Sequence, residues 1–345
     1  MSTEKKTVFL SGASGYIAQH TVKQLLDSGK FKVIGSVRSE EKGNSLAKNF
    51  NSPDLSFVYV KDISSETAFD EAFKQYGSEI DYVVHTASPV AFDVTDVNKD
   101  LIIPAKIGST GIFKASVKYA PNLKHFVITS SSFAILDLLR ENDHSLHLNE
   151  QSWNPITFED SLKDAVQGYC YSKKIAEQTV WKLGKELNVQ FGITAINPTY
   201  ALGPQCFDSS VTSVLNVSCE FVNKLIHSKS DSEIDKSFVG PNIDVRDVAR
   251  AHIEPLLNSE KFNGQRLLLS NGRFGAQSIV DILNEIPQLK GKIAVGTPHS
   301  DDDIQNRMSV INNEKTKELL GFEFISLEKS IKDTASQILK VEGKL

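Results

Sequence analysis

The sequence predicts an α/β protein, a doubly wound parallel sheet joined to a smaller, mainly helical C-terminal lobe. Three observations predict it. Short apolar runs alternate with helix-period segments through the first two-thirds of the chain, which is the pattern of βαβ units. A glycine-rich turn follows the first run and opens the first helix. After Pro204 the apolar runs give way to helical periodicity.

Six strands are expected at residues 8–10, 32–37, 57–60, 82–85, 126–129 and 192–196. Each is short and rich in β-branched or aromatic residues, as a strand buried on both faces should be. Helices are expected between them at 17–26, 41–50, 67–76, 101–119 and 169–187. Beyond Pro204, helical patterns run over 214–227, 245–257, 277–283, 313–320 and 327–339, with a possible seventh strand at 266–269. Gly321, just past Leu320, reads as a helix C-cap. The expected nucleotide-binding lobe is 1–203, with 241–270 packing back on it. The second, substrate-binding lobe is 204–240 with 271–345.

With 345 residues the chain can bury a large core without disulfides or a structural metal. Its net charge of −5 is spread over interspersed acids and bases. That pattern offers no basic stripe for nucleic acid and little attraction to an anionic membrane. The three cysteines, Cys170, Cys206 and Cys219, lack metal-ligand spacing and read as buried thiols. No run reaches the ~20 apolar residues of a membrane span, and the first apolar run is too short for a signal-peptide core. A reducing, cytoplasmic compartment is expected, with a small molecule as partner and a monomer or homodimer as the working unit.

The turn Gly12-Ala13-Ser14-Gly15-Tyr16-Ile17-Ala18 sits between the first strand and first helix. A diphosphate needs backbone N–H groups at a helix N-terminus with no Cβ in the way. Gly12 supplies the tight turn, Gly15 the close approach and Ala18 the helix packing. This strand–turn–helix context predicts a Rossmann dinucleotide site. At the end of the second strand, where an acidic residue would hold a ribose 2′-hydroxyl, stand Arg38 and, one helical turn on, Lys42. A guanidinium grips phosphate in a bidentate manner, so NADPH is expected over NADH. Glu40 and Glu41 are the competing ribose ligands; otherwise they are acids suited to a first helical turn.

Tyr169 and Lys173 are four apart and share a helical face. A phenol titrates near 10, and a nearby ammonium lowers that value, so the pair can donate a proton at neutral pH. Ser130, Ser131 and Ser132 directly follow the fifth strand, and strand carboxyl ends are where such sheets bind ligands. Any of the three hydroxyls could hold a substrate carbonyl.

With these residues, and with Asp62-Ile63, His85-Thr86-Ala87-Ser88-Pro89, Asn197-Pro198 and residues 244–249 in order, the whole chain resembles the extended short-chain dehydrogenase/reductase superfamily. It is most similar to the yeast NADPH-dependent methylglyoxal/aldehyde reductases, relatives of plant dihydroflavonol and cinnamoyl-CoA reductases. The resemblance implies reduction of a small aldehyde or ketone to an alcohol. It implies Ser131 as the catalytic serine, with Ser130 lining the nicotinamide. It puts Asp62 at the adenine amine and Ile63 beside the ring. Thr86, Ala87 and Ser88 lie along the cofactor, Pro198 to Ala201 at the nicotinamide end, and Ser218 at a further contact. The substrate pocket falls at Val90, Phe92, Phe133 and Tyr200. In relatives an aromatic residue often follows the catalytic serine; here Ser132 stands there, with Phe133 next.

Other residues take plainer readings. His85 reads as a satisfied core histidine, Asp244 and Asp247 as capping and structural carboxylates, and Trp153 and Trp181 as core. Two other functions compete. A sugar-nucleotide epimerase or dehydratase needs an added acid–base pair or a nucleotide pocket; Lys224, Lys229 and Arg250 do not cluster for one. A non-catalytic NADP-sensing regulator would not need to keep Tyr169 and Lys173.

Overall fold

The computed structural model describes residues 4–88 and 94–345; Val90 and Phe92 lie outside the described residues. In chain order the strands are β1 (Lys6–Ser11), β2 (Phe31–Val37), β3 (Leu55–Tyr59), β4 (Ile80–His85), β5 (His125–Thr129) and β6 (His147–Leu148). They continue with β7 (Gly192–Pro198), β8 (Tyr200–Leu202), β9 (Gly240–Asp244), β10 (Gln265–Leu269), β11 (Arg273–Phe274) and β12 (Val310–Ile311). Seven strands form one parallel sheet in the order β10-β7-β5-β4-β1-β2-β3.

Side chains on successive strand residues point to opposite faces, so each strand feeds two cores. Val8 and Leu10 enter one apolar cluster and Phe9 the other; Val84 and Val83, and Val127 and Phe126, divide in the same way. Helices cover both faces. Helix Tyr16–Asp27 lies against helix Val245–Leu257, with Val22, Leu25, Val248 and Ala251 in one cluster. Leu319, Leu320, Phe322 and Phe324 rest on that cluster too.

The C-terminal lobe has its own core of Leu202, Val222, Phe274, Ile279, Leu283, Ile331 and Ile338. It is mainly helical, but it also carries a three-stranded sheet, β11-β9-β8, that periodicity did not predict. These strands span two to five residues and β9 begins Gly240-Pro241, so no alternation builds up. Gly321 does cap helix Glu314–Leu320 in the left-handed region. No helix among the described residues is long and apolar enough to cross a membrane.

Strand order reverses between β1 and β4, so the loops after those strands diverge and leave a crevice at their carboxyl ends. The loops after β5 and β7 extend the crevice toward the second lobe.

Candidate active site

The glycine turn builds one end of the crevice. Gly12 has φ +69°, and a Cβ there would stand 3.0 Å from the Ala87 Cα, so the turn and the loop after β4 meet only because the residue is glycine. Ser11 Oγ, 2.8 Å from His85 Nδ1, accepts from the N–H groups of Thr86 and Ala87 at 3.1 Å each. Ser36 Oγ accepts from Gly12 N, and Ser36 O from Ala13 N. Helix Tyr16–Asp27 begins at Gly15 with no side-chain cap and no acid in its first turn. Its N–H groups are thus left for an anion, and the residues present fit a dinucleotide diphosphate. Tyr16 does not offer a hydroxyl there: it donates to Gly203 O at 2.7 Å.

A groove of about 170 Å³ runs from this turn to the end of β2. It is lined by Gly12, Ser14, Gly15, Ser36, Val37, Arg38, Lys42, Val60, Ile63 and residues 86–88. Arg38 and Lys42 therefore share one groove, and Glu40 and Glu41 are not among its lining residues. Asp62 is exposed; Ser64 donates to its Oδ1 from N and Oγ at 2.8 and 2.6 Å. Those bonds, and then Arg38, hold its carboxyl below the usual range.

The groove shares Gly15, Thr86 and Ser88 with a cavity of about 500 Å³ at the carboxyl ends of β1, β4, β5 and β7. Residues 15–18, 129–133, 198–201 and 216–218 line it, with Thr86, Ser88, Tyr169 and Lys173. Every proposed nicotinamide-end and catalytic residue in the described part of the chain thus meets one space: Ser130, Ser131, Tyr169, Lys173, Pro198, Ala201 and Ser218. Ser218 donates to Ala201 O at 2.6 Å, which ties helix Val217–Ile226 to β8.

Tyr169 and Lys173 project from helix Ala165–Glu186, with Lys173 Nζ 5.5 Å from the Tyr169 ring centroid. Burial lowers the Lys173 pKa to about 8. Burial, then Cys170 and Tyr200, raises the Tyr169 phenol above its ordinary value. Burial thus opposes the lowering expected from the Lys173 ammonium. The phenol is consequently protonated, the form that can donate. His85, behind the glycine turn, is pushed down to about 3 by burial and then by Lys173. It is a neutral core histidine.

The three serines separate by environment. Ser131 Oγ accepts from Phe133 N at 3.1 Å and opens onto the cavity. Ser132 is buried in the short turn that follows and also lines it. Ser130 lines the cavity, but its hydroxyl turns inward to Glu177 Oε2 at 2.6 Å. Asn197 Nδ2 donates to Ser131 O at 3.1 Å and to Glu177 Oε2 at 2.8 Å, while its Oδ1 is buried without a partner. An unpaired buried acceptor costs roughly 1–3 kcal/mol.

On the substrate side Phe133 meets Tyr169 and Tyr200 edge-on, each at 5.9 Å between centroids. Tyr200 packs in turn on Phe238 and Phe274. Sequence reasoning missed Asn216 and Val217 in the lining and Glu177 behind it. Glu177 stands at i+8 on the helical face of Tyr169 and Lys173, a spacing that by itself assigns it no role. Other predicted readings stay outside the cavity. Asp244 caps helix Val245–Leu257 and pairs with Arg246; Asp247 accepts from Ile325 N. Arg250 pairs with Glu254 and stacks on Phe322, so it joins no nucleotide pocket with Lys224 and Lys229.

The model of the NAD dependent epimerase/dehydratase family matches residues 8–267. The NADPH-dependent methylglyoxal reductase GRE2 of Saccharomyces cerevisiae is 48% identical over 98% of this chain and 100% of its own length. The crystal structure of yeast methylglyoxal/isovaleraldehyde reductase Gre2 complexed with NADPH superposes with a TM-score of 0.94 at 47% identity, covering 98% and 100% of the two chains. Gre2 of Candida albicans in complex with NADPH superposes with a TM-score of 0.93 at 43% identity, over 97% and 99%.

Proposed function

The chain belongs to the NAD dependent epimerase/dehydratase family, and from that premise we propose that Tyr169 protonates, and Ser131 holds, the carbonyl oxygen of its substrate. The protein is an NADPH-dependent oxidoreductase that reduces small aldehydes and ketones to alcohols. NADPH, when bound, supplies the hydride. The chain's own residues supply the proton and the geometry. The Ser131 hydroxyl steadies the carbonyl oxygen, and the protonated Tyr169 phenol donates to that oxygen as charge gathers on it. Lys173, on the same helical face, compensates the phenolate that remains.

The glycine turn, with Gly12, Ala13, Ser14, Gly15, Tyr16 and Ile17, holds the diphosphate end. Arg38 and Lys42 meet the 2′-phosphate, and Asp62 and Ile63 the adenine. Thr86, Ala87, Ser88, Pro198, Ala201 and Ser218 line the remainder. Ser132, Phe133 and Tyr200 shape the substrate end, which suits methylglyoxal-like, branched-aldehyde or diketone compounds. Residues 1–203 with 241–270 form the cofactor lobe, from which β8 and β9 reach into the second lobe's sheet, and 204–240 with 271–345 the substrate lobe, from which Leu319 to Phe324 pack back on the first. The compartment is cytoplasmic and the working unit a monomer or homodimer. The observation that carries this reading is the single cavity gathering Ser131, Tyr169 and Lys173 beside the uncapped helix N-terminus.

Tyr169→Phe should keep NADPH binding, measured by fluorescence titration, and lose about 10²–10⁴-fold in turnover. Activity within a few-fold of wild type would remove Tyr169 from the role.

A further inference from the structure

Behind the serine turn lies a buried group of charges that the reaction as described does not use. Glu177 is fully buried, two helical turns beyond Tyr169 and one beyond Lys173 on the same face of helix Ala165–Glu186. Its carboxylate receives five donors. Ser130 Oγ donates to it at 2.6 Å, Asn197 Nδ2 at 2.8 Å and Trp181 Nε1 at 3.0 Å. Arg266, on β10, donates from Nε at 2.6 Å and from Nη2 at 3.3 Å. The guanidinium is itself held by Glu150 O and Ser152 O at 2.8 and 2.6 Å, with its face 3.8 Å from the Trp153 ring centroid.

Two features point beyond stability. A buried ion pair is weak evidence for stability, because apolar residues of similar volume commonly replace one without loss. And Asn197 leaves its own Oδ1 unpaired in order to aim Nδ2 at both Glu177 and Ser131 O. Turning the amide over would set Oδ1 against two acceptors. The arrangement is organised around the turn that carries Ser131.

We propose that Glu177 is a positioning residue for carbonyl reduction. By gripping Ser130 from the helix that bears Tyr169 and Lys173, it fixes the span between the proton donor and the Ser131 hydroxyl. Asn197 restrains the same turn from β7, and Arg266 makes the buried carboxylate tenable. The inference rests on the roles proposed above for Tyr169 and Ser131.

The test pairs two double variants, each with the charge pair removed. Glu177→Met with Arg266→Met replaces the pair with apolar volume, so its melting temperature should stay near that of wild type. Its kcat should fall about ten- to a hundredfold, because a displacement near 1 Å can cost that much. Its KM for NADPH should change by less than about twofold, the mark of an interaction made in the chemical step. Glu177→Gln with Arg266→Met restores an acceptor for Ser130 and should recover most of kcat. If both double variants turn over alike, or if the first retains wild-type kcat, the inference is overturned. Should the first fail to fold, Ser130→Ala removes only the hydroxyl that Glu177 grips. A folded Ser130→Ala enzyme with lower kcat and unchanged KM for NADPH supports the inference, and one with unchanged kcat overturns it. Tyr169→Phe, assayed alongside, separates the two readings. An active Tyr169→Phe enzyme sinks the catalytic assignment, whereas an inactive one beside a fully active first double variant sinks the positioning role alone.

Discussion

At the scale of single residues, the proposed 2′-phosphate contact of Arg38 is open to direct test. Its side chain and Lys42 border one groove at the end of β2, and the 2′-phosphate is the large difference between NADPH and NADH. A charge-assisted hydrogen bond contributes about 1.5–3 kcal/mol. Arg38 is exposed, so the lower part of that range applies. Arg38→Ala should raise KM for NADPH about tenfold and leave KM for NADH nearly unchanged, with the difference shrinking at high salt; equal weakening of both cofactors would return Glu40 or Glu41 to consideration. Lys173 makes a second prediction. Burial brings its pKa from 10.5 to about 8, so between these values the unfolded chain binds the proton and the folded protein does not. Stability therefore rises with pH through that window, while the cation needed beside the phenolate is lost. kcat/KM, which reports the free enzyme, should fall as pH rises through about 8, and the melting temperature of Lys173→Met should lose that pH dependence. That Tyr169, Lys173, Ser131 and Arg38 border one crevice was legible in the sequence, because each stands at a strand end or on one helical face. Glu177 was not. Its partners Ser130, Asn197 and Arg266 lie 47, 20 and 89 residues away, and a lone acid in a helix reads as solvated until they are known.

Among the elements, the strands of the main sheet were legible because burial makes most of them continuous apolar runs; the edge strand β3 is only half-buried but keeps an apolar stretch at Phe57-Val58. β6, β8, β9, β11 and β12 were not, since two to five residues give no period and tertiary pairing decides them. The most informative of these is β9, which delivers Asp244 to the start of helix Val245–Leu257. Asp244 is fully buried and accepts from Arg246 N at 2.8 Å, from Arg246 Nε at 2.8 Å and Nη2 at 2.7 Å, and from the Ser330 hydroxyl. Arg246 passes the link on to Asp333 at 2.6 Å, in helix Leu327–Val341 of the C-terminal lobe. Removing one partner of a buried pair costs about 3–5 kcal/mol, because the other charge is stranded. Asp244→Ala should lower the unfolding free energy by up to that amount, since Arg246 keeps Asp333, while kcat of the folded fraction stays within a few-fold of wild type. A change in unfolding free energy below about 1 kcal/mol would mean that Asp333 alone satisfies Arg246.

For the molecule as a whole, acid stability follows from four buried histidines, of which His20 is lowered by burial. Burial lowers His85 to about 3 and His125 and His252 to about 4. Below 6.5 the unfolded chain takes up protons that these folded-state rings refuse, so stability falls as pH falls. By pH 5 His85, His125 and His252 each contribute a loss of about 2 kcal/mol. Asp247 acts in the opposite sense, since burial raises it to about 6 and acid relieves its charge. The net loss between pH 7 and 5 should be at least about 4 kcal/mol, with His20 adding to it. His125→Gln keeps a hydrogen-bonding group for Ser259 and Thr194 and should remove roughly a third to a half of that slope in melting experiments; an unchanged slope would assign acid lability elsewhere. The order of the sheet also bears on how the chain is made. β10, the edge strand that carries Arg266, pairs with β7. Glu177 leaves the ribosome 89 residues ahead of that arginine, an interval of roughly 4–18 s at ordinary elongation rates. Through that interval the nascent chain holds a carboxylate without its counterion and β7 as an unpaired, apolar edge, the kind of surface that other strands add to. The newborn protein is therefore most open to aggregation and to chaperone capture while residues 198–265 are being synthesised, and the same few residues that complete the catalytic scaffold close that vulnerability.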